Sequence, residues 1–162
     1  MCVYAPIVKE QSKNRDLSDK ALKAGQGCVC FNVRKTARAL TQIYDDVLKP
    51  SGLRVTQFSL LMATTLHEPT TLNRLASLTV TDRTTLTRNL RPLETQGLIR
   101  IEFGTDRRER QVTMTTRGRQ VLAKAVPLWE NLQTRFAETF GSERLQQLFG
   151  DLSELRAVSR GL

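Results

Sequence analysis

From Phe31 onward the apolar positions fall into helical steps. Val33, Ala37, Leu40, Ile43, Tyr44, Val47 and Leu48 recur three and four residues apart and make one stripe. Pro50, Ser51 and Gly52 stop that helix. Val55, Phe58, Leu61, Met62 and Leu66 repeat the spacing, and this second helix ends at Glu68, which Pro69 disfavours as a helical residue. A short helix is predicted over 70–78, capped by Thr70 or Thr71, with Leu72, Leu75 and Leu78 on one face. Val80 and Thr81 turn the chain into a further helix, with Thr81 as its N-cap and Asp82 at the positive end of its dipole. Leu86, Leu90 and Leu93 face inward, and Gly97 ends the helix. Pro92 removes the hydrogen bond to the Arg88 carbonyl, which predicts a bend.

The period then drops to two. Ile99, Ile101 and Phe103 alternate with Arg100 and Glu102, and Val112 and Met114 alternate with Thr113 and Thr115. Two antiparallel strands joined by a loop at 104–110 follow from that alternation. A long helix from Thr115 or Thr116 carries Val121, Leu122, Ala125, Leu128, Trp129, Leu132, Phe136 and Phe140, until Gly141 and Ser142 break it. A last helix presents Leu145, Leu148, Phe149, Leu152, Leu155 and Val158. Residues 1–26 show no sustained periodicity and read as an arm that orders only against a partner subunit. The fold class is mainly α with a small β-hairpin.

Composition narrows the classes. The chain has 162 residues, 40% hydrophobic and 25% charged, a mixture that suits one globular domain, or one domain with extra helices. No apolar run approaches the roughly 20 residues that cross a bilayer. The first residues lack a basic stretch followed by an apolar one, so no secretory signal is visible. Three cysteines make a disulfide scaffold a poor reading, and a reducing, cytoplasmic address fits. The single histidine, His67, reads as a helix-end residue and is thin material for metal or acid–base chemistry.

Charge adds the strongest functional signal. The formal net charge is +9, which favours an anionic partner, nucleic acid before membrane. Residues 83–119 hold nine arginines, no lysine and four acids, so nine minus four leaves +5 in that segment. Guanidinium is the planar fork that suits phosphates and guanine edges. The concentration coincides with a helix, a three-residue turn and a second helix, the pattern of a helix-turn-helix whose second helix enters the major groove. Arg83, Thr84, Thr85, Thr87 and Arg88 are the outward residues near its N-terminus. The hairpin tip carries Arg107 and Arg108 for the adjacent minor groove or backbone. Asp106 is assigned to hold an arginine by a charge-assisted hydrogen bond.

The order of elements resembles the MarR family of bacterial transcription regulators. The resemblance spans about residues 30–160 and rests on FNVRKTARALTQIYDDVLKPSGLRVTQFSLL, TLNRLASLTVTDRTTLTRNLRPLETQGLIR and TDRRERQVTMTTRGRQVL. The family's wing signature lands on Asp106, Arg107, Arg108, Thr115 and Gly118, in a compact form with no proline after Asp106. The resemblance implies a winged helix-turn-helix homodimer, joined through its N- and C-terminal helices. The implied organisation is an arm over 1–30, a helical dimerisation region over 31–50 and 116–162, and a DNA-binding domain over 53–115. A dimer also suits a pseudo-palindromic operator, because two half-sites about one helical turn apart need a two-fold. The implied function is a sequence-specific repressor of transcription, not an enzyme, with no required cofactor, released by a small-molecule effector, a metal or metalloid, or a thiol-redox signal.

Cys2, Cys28 and Cys30 are the candidate sensors. A Cys-x-Cys pair suits thiophilic species such as Zn, As(III) or Sb(III). A disulfide between such near neighbours is strained, so oxidation would rather join Cys2 or the other subunit. Free cysteine is equally a small buried hydrophobe, and that reading stays open. Tyr44 suits either a ligand crevice or packing. Two other classes compete. A thiol-based enzyme needs a base, and His67 lies in a different segment. A general basic module for RNA or protein is disfavoured by only 6% aromatics, too few for stacking platforms.

Overall fold

The computed structural model describes residues 5–104, 106 and 108–161. Two compact units divide between Ile43 and Tyr44. The first holds α1 (Ala5–Gly27) and most of α2 (Val29–Leu48). The segment expected to be an arm is therefore helical. Its apolar residues are too sparse to write a stripe, while helix-favouring Lys, Ala and Gln recur along it and Lys20 pairs with Asp16 one turn away, at 2.7 Å. Cys28 separates the two helices, and α2 begins two residues before Phe31. The Asn32 amide closes this joint by donating to the carbonyls of Gln26 (3.1 Å) and Cys28 (2.9 Å).

The second unit runs from the last turn of α2 through α3 (Val55–Leu66), β1 (Thr70–Thr71), α4 (Leu72–Leu78), α5 (Arg83–Thr95), β2 (Ile99–Phe103), β3 (Arg110–Met114), α6 (Thr116–Phe140) and α7 (Ser142–Val158). Leu48, Phe58, Leu61, Leu75, Leu86, Leu90, Leu93, Ile99, Val112 and Leu122 meet in one core. The two expected strands pair antiparallel with Ile99 opposite Met114 and Ile101 opposite Val112. A third strand, β1, lies on the free edge of β3, with Thr70 opposite Val112, so the sheet order is β1-β3-β2. Two residues carry no readable period, which is why β1 escapes sequence reading.

Two expectations change in the helix-turn-helix. Leu78 is exposed, because α4 stops there and the Thr79 hydroxyl bonds back to the Leu75 carbonyl at 2.7 Å. The N-cap of α5 is Asp82: its carboxylate accepts the Thr85 N–H at 2.8 Å, while the Thr81 hydroxyl donates to the Thr79 carbonyl. Helix α5 runs without interruption through Pro92.

At its other end, α5 closes on Gly97, whose φ of +68° is the left-handed geometry that glycine adopts freely. Gly97 N–H donates to the Glu94 carbonyl and Leu98 N–H to the Leu93 carbonyl, both at 2.9 Å, forming a Schellman closure. Leu98 then anchors the start of α6. Thr115 N–H donates to the Leu98 carbonyl (3.1 Å), and its hydroxyl donates to Gly97 (2.7 Å) while accepting the Gly118 N–H (2.9 Å). A Cβ at Gly118 would stand 2.0 Å from the Leu98 oxygen. The Thr-x-x-Gly sequence is thus a clasp between the exit of α5 and the first turn of α6.

Tyr44 packs: its ring stacks on Phe136 at 6.0 Å and its hydroxyl accepts from Gln133. Trp129 stacks on Phe58. Helix α7 leaves Leu148, Phe149, Leu152, Leu155 and Val158 exposed and buries none of its residues. Among the described residues no helix is long and apolar enough to cross a membrane.

Candidate nucleic-acid interface

The Asp82 cap orients α5. Its carboxyl titrates below the ordinary value of 3.8, because the hydroxyl and N–H of Thr85 both bond the charged form. Beyond this cap, Arg83, Thr84, Thr87 and Arg88 are exposed and line one open depression of about 490 Å³ together with Arg91. Residues 84, 87, 88 and 91 are three and four apart, so they share a face. Thr85 departs from the expected set: it is half-buried and serves the cap. Thr87 donates its hydroxyl to the Arg83 carbonyl at 2.8 Å, which leaves its methyl and oxygen lone pairs to face outward. Arg91 escapes a reading confined to the helix N-terminus; its spacing from Arg88 is the signal that points to it.

The β2–β3 loop approaches the same helix start. Arg83 lines a second, smaller depression with Thr71, Leu72 and Asn73 of the β1–α4 segment and Arg108, Glu109 and Arg110 of the loop. Asp106 shapes that loop: its carboxylate accepts the Arg108 N–H and its carbonyl accepts the Glu109 N–H, both at 2.9 Å. The Asp106 carboxylate thus holds an arginine through that residue's backbone N–H. The reason is local, since a short carboxylate two residues upstream reaches the amide with little cost. Arg107 lies outside the described residues. Arg110 rests over the Phe103 ring at 4.1 Å.

Not all the arginine excess is available to a partner. Arg119 is bound to Glu68, and Arg100 sits 3.9 Å from Glu102. Arg83, Arg88, Arg91 and Arg108 have no side-chain partner among the described residues. An exposed face with four unpaired guanidiniums, Thr84 and Thr87 is chemically fitted to phosphates and base edges.

The thiols lie elsewhere. Cys28 and Cys30 are free and exposed. Cys28 Sγ accepts the Phe31 N–H at 3.4 Å. Cys2 lies outside the described residues. Among the described residues no three His, Cys, Asp or Glu side chains converge as a metal site. His67 closes α3, with Nδ1 3.2 Å from the Arg74 guanidinium.

Comparison with known proteins gives a consistent picture. A model of the MarR family matches residues 51–109. The transcriptional regulator MosR of M. tuberculosis, solved in complex with DNA, is 39% identical; the match covers 82% of this chain and 98% of that one, with a TM-score of 0.73. The HTH-type transcriptional regulator SarZ of Staphylococcus epidermidis is 29% identical over 125 residues, 76% of this chain and 83% of SarZ. The transcriptional repressor CouR, solved bound to a 23-mer DNA duplex, is 21% identical and covers 82% of this chain and 95% of its own, with a TM-score of 0.74; at that identity the likeness speaks for the fold alone.

Proposed function

Because this chain belongs to the MarR family of DNA-binding transcriptional regulators, we propose that it is a sequence-specific repressor that works as a homodimer on a pseudo-palindromic operator. The observation that carries the reading is the open face of α5, where Arg83, Thr84, Thr87, Arg88 and Arg91 line one depression. A helix of this composition in the major groove meets base edges with Arg88 and Thr84 and phosphates with its flanking arginines. Arg108 on the hairpin adds a backbone or minor-groove contact outside the major groove.

Dimerisation is supported by the exposed stripe on α7, Leu148, Phe149, Leu152 and Leu155, which a soluble monomer would have little reason to keep. A protein covering an operator blocks access to it, hence repression. Release is assigned to the exposed Cys28 and Cys30 at the α1–α2 joint, through oxidation or through a thiophilic ion such as As(III), Sb(III) or Zn. Two thiols are one donor short for a three-coordinate metalloid, so Cys2 or a partner subunit would complete it. A small-molecule effector would act without them.

The test is selection of bound duplexes from a random library, repeated with reductant, oxidant and trivalent arsenic or antimony. Two-fold symmetric sequences and loss of binding under one treatment are expected. A Cys28→Ser, Cys30→Ser variant should keep the sequences and lose the response; an unchanged response would remove the thiols from the mechanism. A lone protomer that ignores every duplex at low ionic strength would overturn the whole reading.

A further inference from the structure

Glu68, in the short segment between α3 and α4, has both carboxylate oxygens in use. Oε1 accepts the Met114 N–H at the end of β3, at 2.8 Å. Oε2 takes the guanidinium of Arg119 in the first turn of α6. The Glu68 side chain is only 18% exposed and is held between those two partners. The next residues continue the hold: Thr70 and Thr71 pair with Val112 and Gln111 along the outer edge of β3. Thr71 then caps α4 by accepting the Arg74 N–H at 3.2 Å. Residues 68–71 therefore form a strap from the end of α3, along the strand that carries the hairpin, to the start of the helix-turn-helix. A two-stranded hairpin alone is a marginal structure and would pivot about its base.

We propose that Glu68 is a positioning residue for DNA recognition. By fastening the segment that leads into the helix-turn-helix to the β3–α6 junction, it sets the angle at which the Arg108 loop meets the duplex relative to α5. Glutamate suits this role because one oxygen satisfies a backbone N–H and the other neutralises a guanidinium, whereas glutamine keeps only the first function. The proposal rests on the DNA-binding reading above, and it predicts that Glu68 matters to the hairpin contact and not to the contacts of α5.

The test is a pair of double-mutant cycles on the full chain, with a duplex from the selection as ligand. In the Glu68→Gln background the affinity lost through Arg108→Ala should shrink by about five-fold, while the loss through Arg88→Ala should stay the same. Additive losses for Arg108, or equal coupling to both arginines, would overturn the proposal. A second readout needs no DNA: amide hydrogen exchange at Val112 and Met114 should quicken in Glu68→Gln, while Leu86 and Leu90 keep their protection. Unchanged β3 exchange would overturn the proposal by itself. A wild-type chain that binds no duplex counts against the DNA-binding reading, and the exchange result still decides whether Glu68 holds the hairpin. Should Glu68→Gln not fold, Arg119→Gln breaks the same ion pair from the other side, keeps the Met114 bond, and is held to the same two outcomes.

Discussion

Replacing Gly118 with alanine places a methyl carbon 2.0 Å from the Leu98 carbonyl oxygen. A close carbon–oxygen approach is about 3.3 Å, so α6 or the Leu98 peptide must retreat by roughly 1.3 Å. The obstacle is backbone, and no side-chain rotation relieves it. Overpacking of this kind costs about 1–3 kcal/mol. Retreat also stretches the bonds from the Thr115 N–H and hydroxyl to Leu98 and Gly97, each contributing about 1 kcal/mol. Alanine returns up to about 1 kcal/mol of helix propensity. The net is a loss of about 3 kcal/mol, or roughly 6–12 °C in Tm for a chain this long. Gly150 is the control. A methyl group there would have nothing within 4 Å, and the residue lies on the side of α7 opposite Leu148 and Leu152, so Gly150→Ala should gain up to about 1 kcal/mol. Thermal and urea unfolding followed by circular dichroism, at one fixed protein concentration, reads both. A Gly118→Ala chain as stable as its parent would show that Leu98 does not press on α6 and would refute the reasoning.

Three further outcomes are expected. Arg88→Ala should cost about 1–3 kcal/mol on the selected duplex and relax one base position, whereas Arg108→Ala should weaken all duplexes alike and lower the salt slope by about one; anisotropy titrations across salt concentrations separate them, and identical behaviour refutes the division between helix and hairpin. Asp82 has a folded-state pKa below its ordinary 3.8, so its cap contributes fully above that value and is lost as pH falls through the lowered one. The stability gap between wild type and Asp82→Ala should thus be constant from neutral pH down to about pH 5 and close under stronger acid; a gap that widens on acidification contradicts the assignment. Leu152→Glu on the exposed α7 stripe should lower the mass seen in sedimentation from two copies to one and weaken operator binding by about ten-fold or more, and an unchanged mass at the same concentration argues against α7 as the seam.

Long periodic elements were legible because burial imposes the period. Leu86, Leu90 and Leu93 on α5 and Ile99, Ile101, Val112 and Met114 on the hairpin all write their spacing into the sequence. The α5 face was legible through arginine and threonine density, down to most of its members. Short-range hydrogen-bond choices were not. Thr81 and Asp82 are both good caps, and which one wins depends on the turn that precedes them. Helix α1 has propensity without a stripe. Leu78 fits the period but lies beyond the core. Glu68 reads as a helix-ending residue until β3 and α6 arrive from 46 and 51 positions away.

Helix α5 carries its own closures at both ends, Asp82 with Thr85 in front and Gly97 with Leu98 behind, and neither closure uses the side chains of Arg83, Thr84, Arg88 or Arg91. The lettering can therefore be rewritten without disturbing the page. Under the proposed function, exchanging those four side chains for those of a relative should transplant operator preference as a cassette.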